Sequence, residues 1–179
     1  PLSLLLRQTA RTKDASHQEQ VLLQLRTMAA GGIYDHLGGG FHRYSVDGRW
    51  LVPHFEKMLY DNAQLVRIYL DAWRLTKEER FREVVEETLE YGRRELTHPD
   101  GAFFAAQDAD SEGHEGSYFV WEPKEIASVL GADMAEEFCR YYGVTESGNF
   151  EGKNVLNRLG EVHPESDAQA EVETMLRAA

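Results

Sequence analysis

The 179-residue sequence predicts a mostly helical fold, built of helical hairpins with short β-hairpins in the loops and forming part of an α/α toroid. Three observations predict it. Apolar residues recur at helical spacing in paired runs, with a short polar turn inside each pair. A glycine-rich polar loop follows the second run of a pair. The whole unit then returns: the turn TKD at 12–14 is matched by TKE at 76–78, and the loop entry Gly40-Phe41 by Ala102-Phe103. A repeat of roughly 63 residues is longer than the common solenoid repeats, and hairpins with long loops at one end suit a ring whose cavity opens where the loops gather. A six-hairpin ring would need roughly twice this length, so the chain reads as a single domain of 1–179 holding about three hairpins. An irregular helical domain is the alternative.

Taken in order, Leu2, Leu5, Leu6 and Ala10 share one helical face, as do Val21, Leu22, Leu25, Met28 and Ala29. The segment 41–52, FHRYSVDGRWLV, alternates like a strand pair turning at Asp47-Gly48, with His42 and Tyr44 on one side and Phe41 and Arg43 on the other. Pro53-His54 is expected to lead into a helix with Glu56 and Lys57 in its first turn, running through Phe55, Met58, Leu59, Leu65, Val66, Tyr69 and Trp73. The next helix passes through Phe81, Val84, Val85, Leu89 and Tyr91, and Thr76 with Glu79 has the form of a capping box at its start. A strand over 118–121 precedes a third unit whose helix opens at Pro123. ESGNFEGKNVLNRL would be its loop, and PESDAQAEVETMLRA a fourth beginning.

Composition narrows the function. A net charge of −12 repels nucleic-acid backbones and anionic membranes, and no apolar run approaches a membrane span. The N-terminal stretch lacks a cleavage-site pattern and reads as a helix entered mid-stream, which points to a piece of a longer protein. One cysteine, Cys139, forbids an internal disulfide and fits a reducing, cytoplasmic setting; its neighbours make it a small apolar helix residue.

Two loops carry the chemistry-bearing residues. The first gathers His36, His42 and His54 within nineteen positions. Singly each imidazole suits a structural role; together, on loop or helix-start positions, they suggest a site, since histidine is the usual acid or base near neutral pH. Glu56 would either complement a helix dipole or join that site. In the second loop Asp108, Asp110 and Glu112 alternate, and an extended backbone would set Asp108 and Asp110 on one side as a carboxylate pair. DADSEG also resembles a calcium loop, but Phe119 stands where that motif needs glutamate, so no metal is expected. The catalytic candidates are His54, Glu56, Asp108 and Asp110. The ligand-binding candidates are His36, His42, Arg43, Trp50, Tyr60, Glu112 and Trp121, with aromatics as walls on which a sugar ring stacks. No cofactor is expected.

The segments GGIYDHLGGGFHRYSVDGRWLVPHFEKMLYDNAQL, AAQDADSEGHEGSYFVW and GNFEGKNVL resemble the YyaL or spermatogenesis-associated protein 20 family over about residues 2–160. The resemblance implies an N-terminal thioredoxin-like domain, absent here, joined to a six-hairpin glycosidase-like toroid similar to N-acylglucosamine 2-epimerase. It implies a loop-end pocket for a sugar-like ligand. In an epimerase His54 and His42 would move a proton beside a carbonyl; in a hydrolase Asp108 would act with Asp110 or Glu56. The alternative is a non-catalytic binding or scaffold module attached to the redox domain. Partners would be the rest of the ring, or a second copy covering open helix faces.

Overall fold

Helices form where leucine, valine and aromatic side chains recur every three or four residues, and each buries that stripe against its hairpin partner. A computed structural model describes residues 1–12, 15–111 and 113–160. Along the chain lie α1 (Leu2–Thr12), α2 (Ala15–Ala30), β1 (Tyr44–Ser45), β2 (Pro53–His54), β3 (Lys57–Met58), α3 (Leu59–Thr76) and α4 (Glu79–Glu95). Then come β4 (Ala106–Gln107), β5 (Asp110–Ser111), β6 (His114–Glu115), a 3₁₀ turn (Ser117–Phe119), β7 (Val120–Trp121), α5 (Pro123–Leu130), α6 (Ala132–Tyr141) and β8 (Asn154–Val155). The helices pack as three hairpins, α1 with α2, α3 with α4 and α5 with α6. The fold is mostly α with short antiparallel strand pairs, as expected.

The repeat has a structural signature. β3, just before α3, pairs with β4, just after α4, in the register Lys57↔Gln107 and Met58↔Ala106. β7, just before α5, pairs with β8 after α6, in the register Val120↔Val155 and Trp121↔Asn154. A two-residue ladder thus ties the two ends of each of these hairpins together. Lys57 and Val120, equivalent in the two ladders, are separated by the same interval as the repeat in the sequence. Single bridges also recur in the loops, Tyr34↔Phe41, Thr97↔Phe103 and Phe150↔Lys153. The expected fourth unit lies outside the described residues.

Several local expectations are corrected. The helix expected near His54 begins at Leu59. Residues 53–58 are held extended instead, because Tyr44 pairs with His54, the Glu56 carbonyl accepts the Arg43 N–H (2.7 Å), and Lys57 pairs with Gln107. Glu56 therefore sits in no helical turn. The Thr76–Glu79 capping box does not form. Thr76 ends α3, its hydroxyl accepts the Glu78 N–H at 3.1 Å, and Lys77 turns left-handed (φ 61°) to donate its N–H to Trp73. A capping box does form at α5, between Glu122 and Glu125. Of the strand expected over 118–121 only Val120–Trp121 is extended.

The first-loop strand pair is wider than a two-residue turn: Asp47 accepts the backbone N–H groups of Arg49, Leu51 and Val52, which rounds the tip. Its ladder starts only at Tyr44, so strict alternation does not reach back to Phe41. Phe41 and His42 are both buried, whereas Arg43 and Tyr44 are exposed.

Three apolar clusters hold these units. The largest joins α2, α3 and α4 through Val21, Leu25, Phe41, Tyr69, Phe81 and Val84, with Leu2, Leu5 and Leu6 of α1 packed on its edge. The second fills the third hairpin with Ile126, Leu130, Phe138 and Tyr142, and takes Leu37 from the first loop. Cys139 lies on its edge, half-buried, with its thiol pushed up by burial. A small third cluster of Phe55, Ala109, Val120 and Val155 pins the loops together.

Candidate functional site

The GGG run at 38–40 folds back over α4. Gly39 and Gly40 adopt φ of 75° and 79°, and a β-carbon at either would strike the Glu87 backbone or the Tyr91 ring. Only glycine meets both demands. This turn is anchored from within by Asp35. One carboxylate oxygen accepts the N–H groups of Leu37 (3.0 Å) and Gly38 (2.8 Å), and the other accepts from Lys57 Nζ at 2.6 Å. Lys57, just 1% exposed, also donates to the Gly39 carbonyl (2.9 Å) and lies over the rings of Tyr91 and Phe119 at 4.4 and 4.9 Å. Burial would raise the Asp35 carboxyl, but Lys57, His42 and the backbone donors outweigh it and hold the group at about 2. Burial draws Lys57 down, opposed by Asp35. Each member of the pair makes further hydrogen bonds besides the one they share, the condition on which a buried pair is tolerable.

Beside this pair opens a cavity of about 770 Å³. One wall is the first loop, from Gly32 through Asp35, His36 and Gly38 to His42. Arg94 and Glu95 at the end of α4 form a second side. The third is the second loop and start of α5, with Ser111, Tyr118, Phe119, Trp121 and Glu125, closed by Val155 and Leu156. Two neutral imidazoles line it. His36 donates from Nε2 to the Gly31 carbonyl (3.0 Å), and His42 donates from Nδ1 to the Phe55 carbonyl (2.9 Å), since a carbonyl can only accept. Burial, then nearby cations (Arg80 and Arg158 for His36, Lys57 for His42), lowers both to about 3. The donor bond at Nδ1 leaves His42 Nε2 as a bare acceptor, with no hydrogen-bond partner among the described residues.

The predicted residues therefore divide. His36, His42 and Trp121 line the cavity. His54, Glu56, Arg43 and Tyr60 are brought together elsewhere, in a cluster on the outer face of the first loop. His54 Nδ1 lies 2.7 Å from Glu115 and its Nε2 3.6 Å from Glu56; Glu56 accepts from Arg43 at 2.8 Å, Tyr60 lies beside Arg43, and the Tyr44 ring stacks on the imidazole at 4.9 Å. Tyr44 and His54 face each other because they are ladder partners. Asp108 and Asp110 are exposed and do not line the cavity; Asp108 accepts the Asp110 N–H at 3.1 Å, an Asx turn rather than a carboxylate pair. Trp50 (φ 64°) packs against the first apolar cluster, its carbonyl accepting from Ile33. Glu112 lies outside the described residues.

Asp35, Lys57, Arg94 and Glu115 are the residues that sequence reasoning passed over. A charged lysine inside the apolar FEKML run was one available sign. Glu115, the acid that reaches His54, comes from the same loop as the expected carboxylates but from the other arm of its strand pair, opposite Asp110.

Comparison of the sequence with known proteins identifies relatives. No protein-family model matches the chain. It is 43% identical over 171 residues to human spermatogenesis-associated protein 20, an alignment covering 81% of this chain and 22% of the relative. The mouse protein of that name is 39% identical over 184 residues, 94% of this chain and 23% of the relative. The chain belongs to the spermatogenesis-associated protein 20 family. An uncharacterized protein of Caenorhabditis elegans is similar too, 41% identical over 160 residues, 75% of this chain and 22% of its own length. The chain thus spans about a fifth of the spermatogenesis-associated protein 20 sequences it matches. Among the described residues no helix is long and apolar enough to cross a membrane.

Proposed function

We propose that this segment is part of a helical-hairpin ring and carries a cavity that binds a small, sugar-like ligand. The observation that supports it is the composition of one open cavity. At about 770 Å³ the cavity has the size of small-molecule sites, and it combines aromatic faces (Tyr118, Phe119, Trp121) with fixed polar groups (Asp35, His42, Arg94). Aromatic faces match the apolar side of a sugar ring, and fixed acceptors match its hydroxyls.

Recognition without turnover fits the electrostatics best. An imidazole held near 3 is an acceptor at neutral pH and a poor base. The carboxylates on the wall are committed: Asp35 to Lys57 and two amides, Glu95 to Arg94 (2.6 Å), Glu125 to the Glu122 N–H (2.8 Å). That leaves no spare acid pair there for glycoside hydrolysis. The protein would be a binding module joined to a thioredoxin-like domain, in the cytoplasm, a setting that the single cysteine of this segment fits. A second reading, sugar epimerase or isomerase chemistry, is favoured by one observation: His42 lines a ligand-sized space, and its Nε2 has no hydrogen-bond partner among the described residues.

Calorimetry of the full-length protein against neutral mono- and disaccharides tests the first reading. Binding that weakens at least tenfold in His42→Gln supports it, and no binding by any sugar refutes it. Incorporation of solvent deuterium beside the carbonyl of a bound sugar would decide for the second.

A further inference from the structure

We infer that this cavity takes uncharged or amine-bearing polyols and turns away phosphorylated or carboxylated ones. The inference rests on the binding reading above and gives its ligand a charge class.

The charge on the wall disfavours an anion, although Ser111, Ser117 and Tyr118 hydroxyls also line it and Lys57, Arg80 and Arg158 lie behind it. Its ionised groups are three acids, Asp35, Glu95 and Glu125, against one cation, Arg94. Arg94 already donates from Nε to Glu95 (2.6 Å) and from Nη2 to the Gly38 carbonyl (2.7 Å). The two imidazoles are neutral and present acceptors, and an acceptor repels a phosphate oxygen while it receives a ligand hydroxyl. The glycine turn would otherwise be the natural anion seat, because successive backbone N–H groups in such a turn make an anion-binding nest. Here the nest is filled by the protein itself: Asp35 takes the Leu37 and Gly38 amides, and Lys57 is spent on the same carboxylate from beneath. A phosphate would have to displace Asp35 while bringing more negative charge beside Glu125 and into a chain of net charge −12. A hydroxyl or an ammonium group instead meets acceptors on this wall, the neutral His36 and His42 and the carboxylates beside them.

The test is calorimetry and saturation-transfer NMR on the full-length protein at pH 7.5 and low salt. The probes are neutral mono- and disaccharides with their amino, phosphate and uronate counterparts. Neutral and amino sugars are expected to bind alike or with the amine ahead, and the anionic counterparts at least tenfold more weakly. Glu125→Gln should narrow that gap about threefold, because it removes charge while glutamine preserves the capping-box position. A phosphate or uronate that binds as well as its neutral parent overturns this inference and leaves the cavity reading standing. If no probe binds, the cavity reading falls and this inference with it.

Discussion

Breaking the Asp35–Lys57 pair should be costly, because Lys57 is buried, Asp35 nearly so, and each is the other's counter-charge. Lys57→Met should leave a buried carboxylate with no cation and cost about 3–5 kcal/mol, a Tm loss on the order of 10 °C. Asp35→Asn with Lys57→Met should cost less than the single lysine variant, since no lone charge remains; a more damaging double variant would contradict the assignment. Asp35's folded value of about 2 lies below its ordinary 3.8. Its contribution is therefore complete above that ordinary value and fades as the pH falls towards 2. His36 and His42 act over a higher window. Both sit at about 3 when folded against 6.5 ordinarily, so below 6.5 the unfolded chain takes up protons that the folded chain refuses. The urea midpoint should decline steadily from pH 6.5 to 4.5, ahead of carboxylate titration. In NMR two imidazoles should keep neutral shifts at pH 5. If all the histidine signals from this segment titrate near 6.5, the burial argument is wrong.

At the scale of elements, each two-residue ladder is too short to be stable alone, and asparagine side chains reinforce both. Asn154, fully buried, accepts the Thr145 N–H (2.9 Å) and donates to the carbonyls of Thr145 (3.0 Å) and Trp121 (3.2 Å). Asn62 does the same at the second hairpin, bonding both backbone groups of Phe41 and the Met58 carbonyl. Asn154→Ala strands three backbone groups and should cost about 2–4 kcal/mol. Asn154→Asp should hardly rescue it, because the two carbonyls need donors. An alanine variant as stable as wild type in urea unfolding would place the ladder's strength elsewhere. These elements also show what the sequence could announce. Helical stripes and the returning turn-and-loop unit are periodic, so the hairpins were legible; His36, His42 and Trp121, singled out by residue type, fall on the wall of one cavity. The extended run 53–58 was not, because its conformation is imposed by Tyr44 and Gln107, each from a different loop. For the same reason the surroundings of His54 were not legible: one neighbour, Glu115, is sixty-one positions away. Asp108 and Asp110 misled because alternation was read as a strand face where a single Asx turn stands.

Across the whole molecule, cohesion is uneven. The first two hairpins share one apolar cluster, whereas the third has its own and meets the others through narrow ties. Those ties are Leu37 inserted among Ile126, Leu130 and Tyr142, the His36–Tyr142 ring contact at 5.6 Å, the Phe55 cluster, and the Arg158 N–H on the Ala30 carbonyl at 2.6 Å. Separate cores joined by few contacts open as separate cooperative units. Hydrogen exchange should therefore find α5 and α6 opening together at a lower free energy than α2, α3 and α4. Leu37→Ala removes the central tie and should cost about 2–4 kcal/mol, felt chiefly in the third hairpin. Peptides from 123–142 should exchange markedly faster in that variant, while those from 21–30 and 62–91 change little. Equal acceleration in all three hairpins would mean that they unfold as one. If the cavity binds a ligand as proposed, it would couple these units, since Trp121 and Glu125 lie on the third hairpin's side and His42 and Asp35 on the first loop. A ligand bound between them gains contacts only when the third hairpin is docked. Ligand saturation should thus slow exchange in 123–142 in proportion to the occupied fraction, and Leu37→Ala, on the cavity wall as well as between the units, should weaken binding.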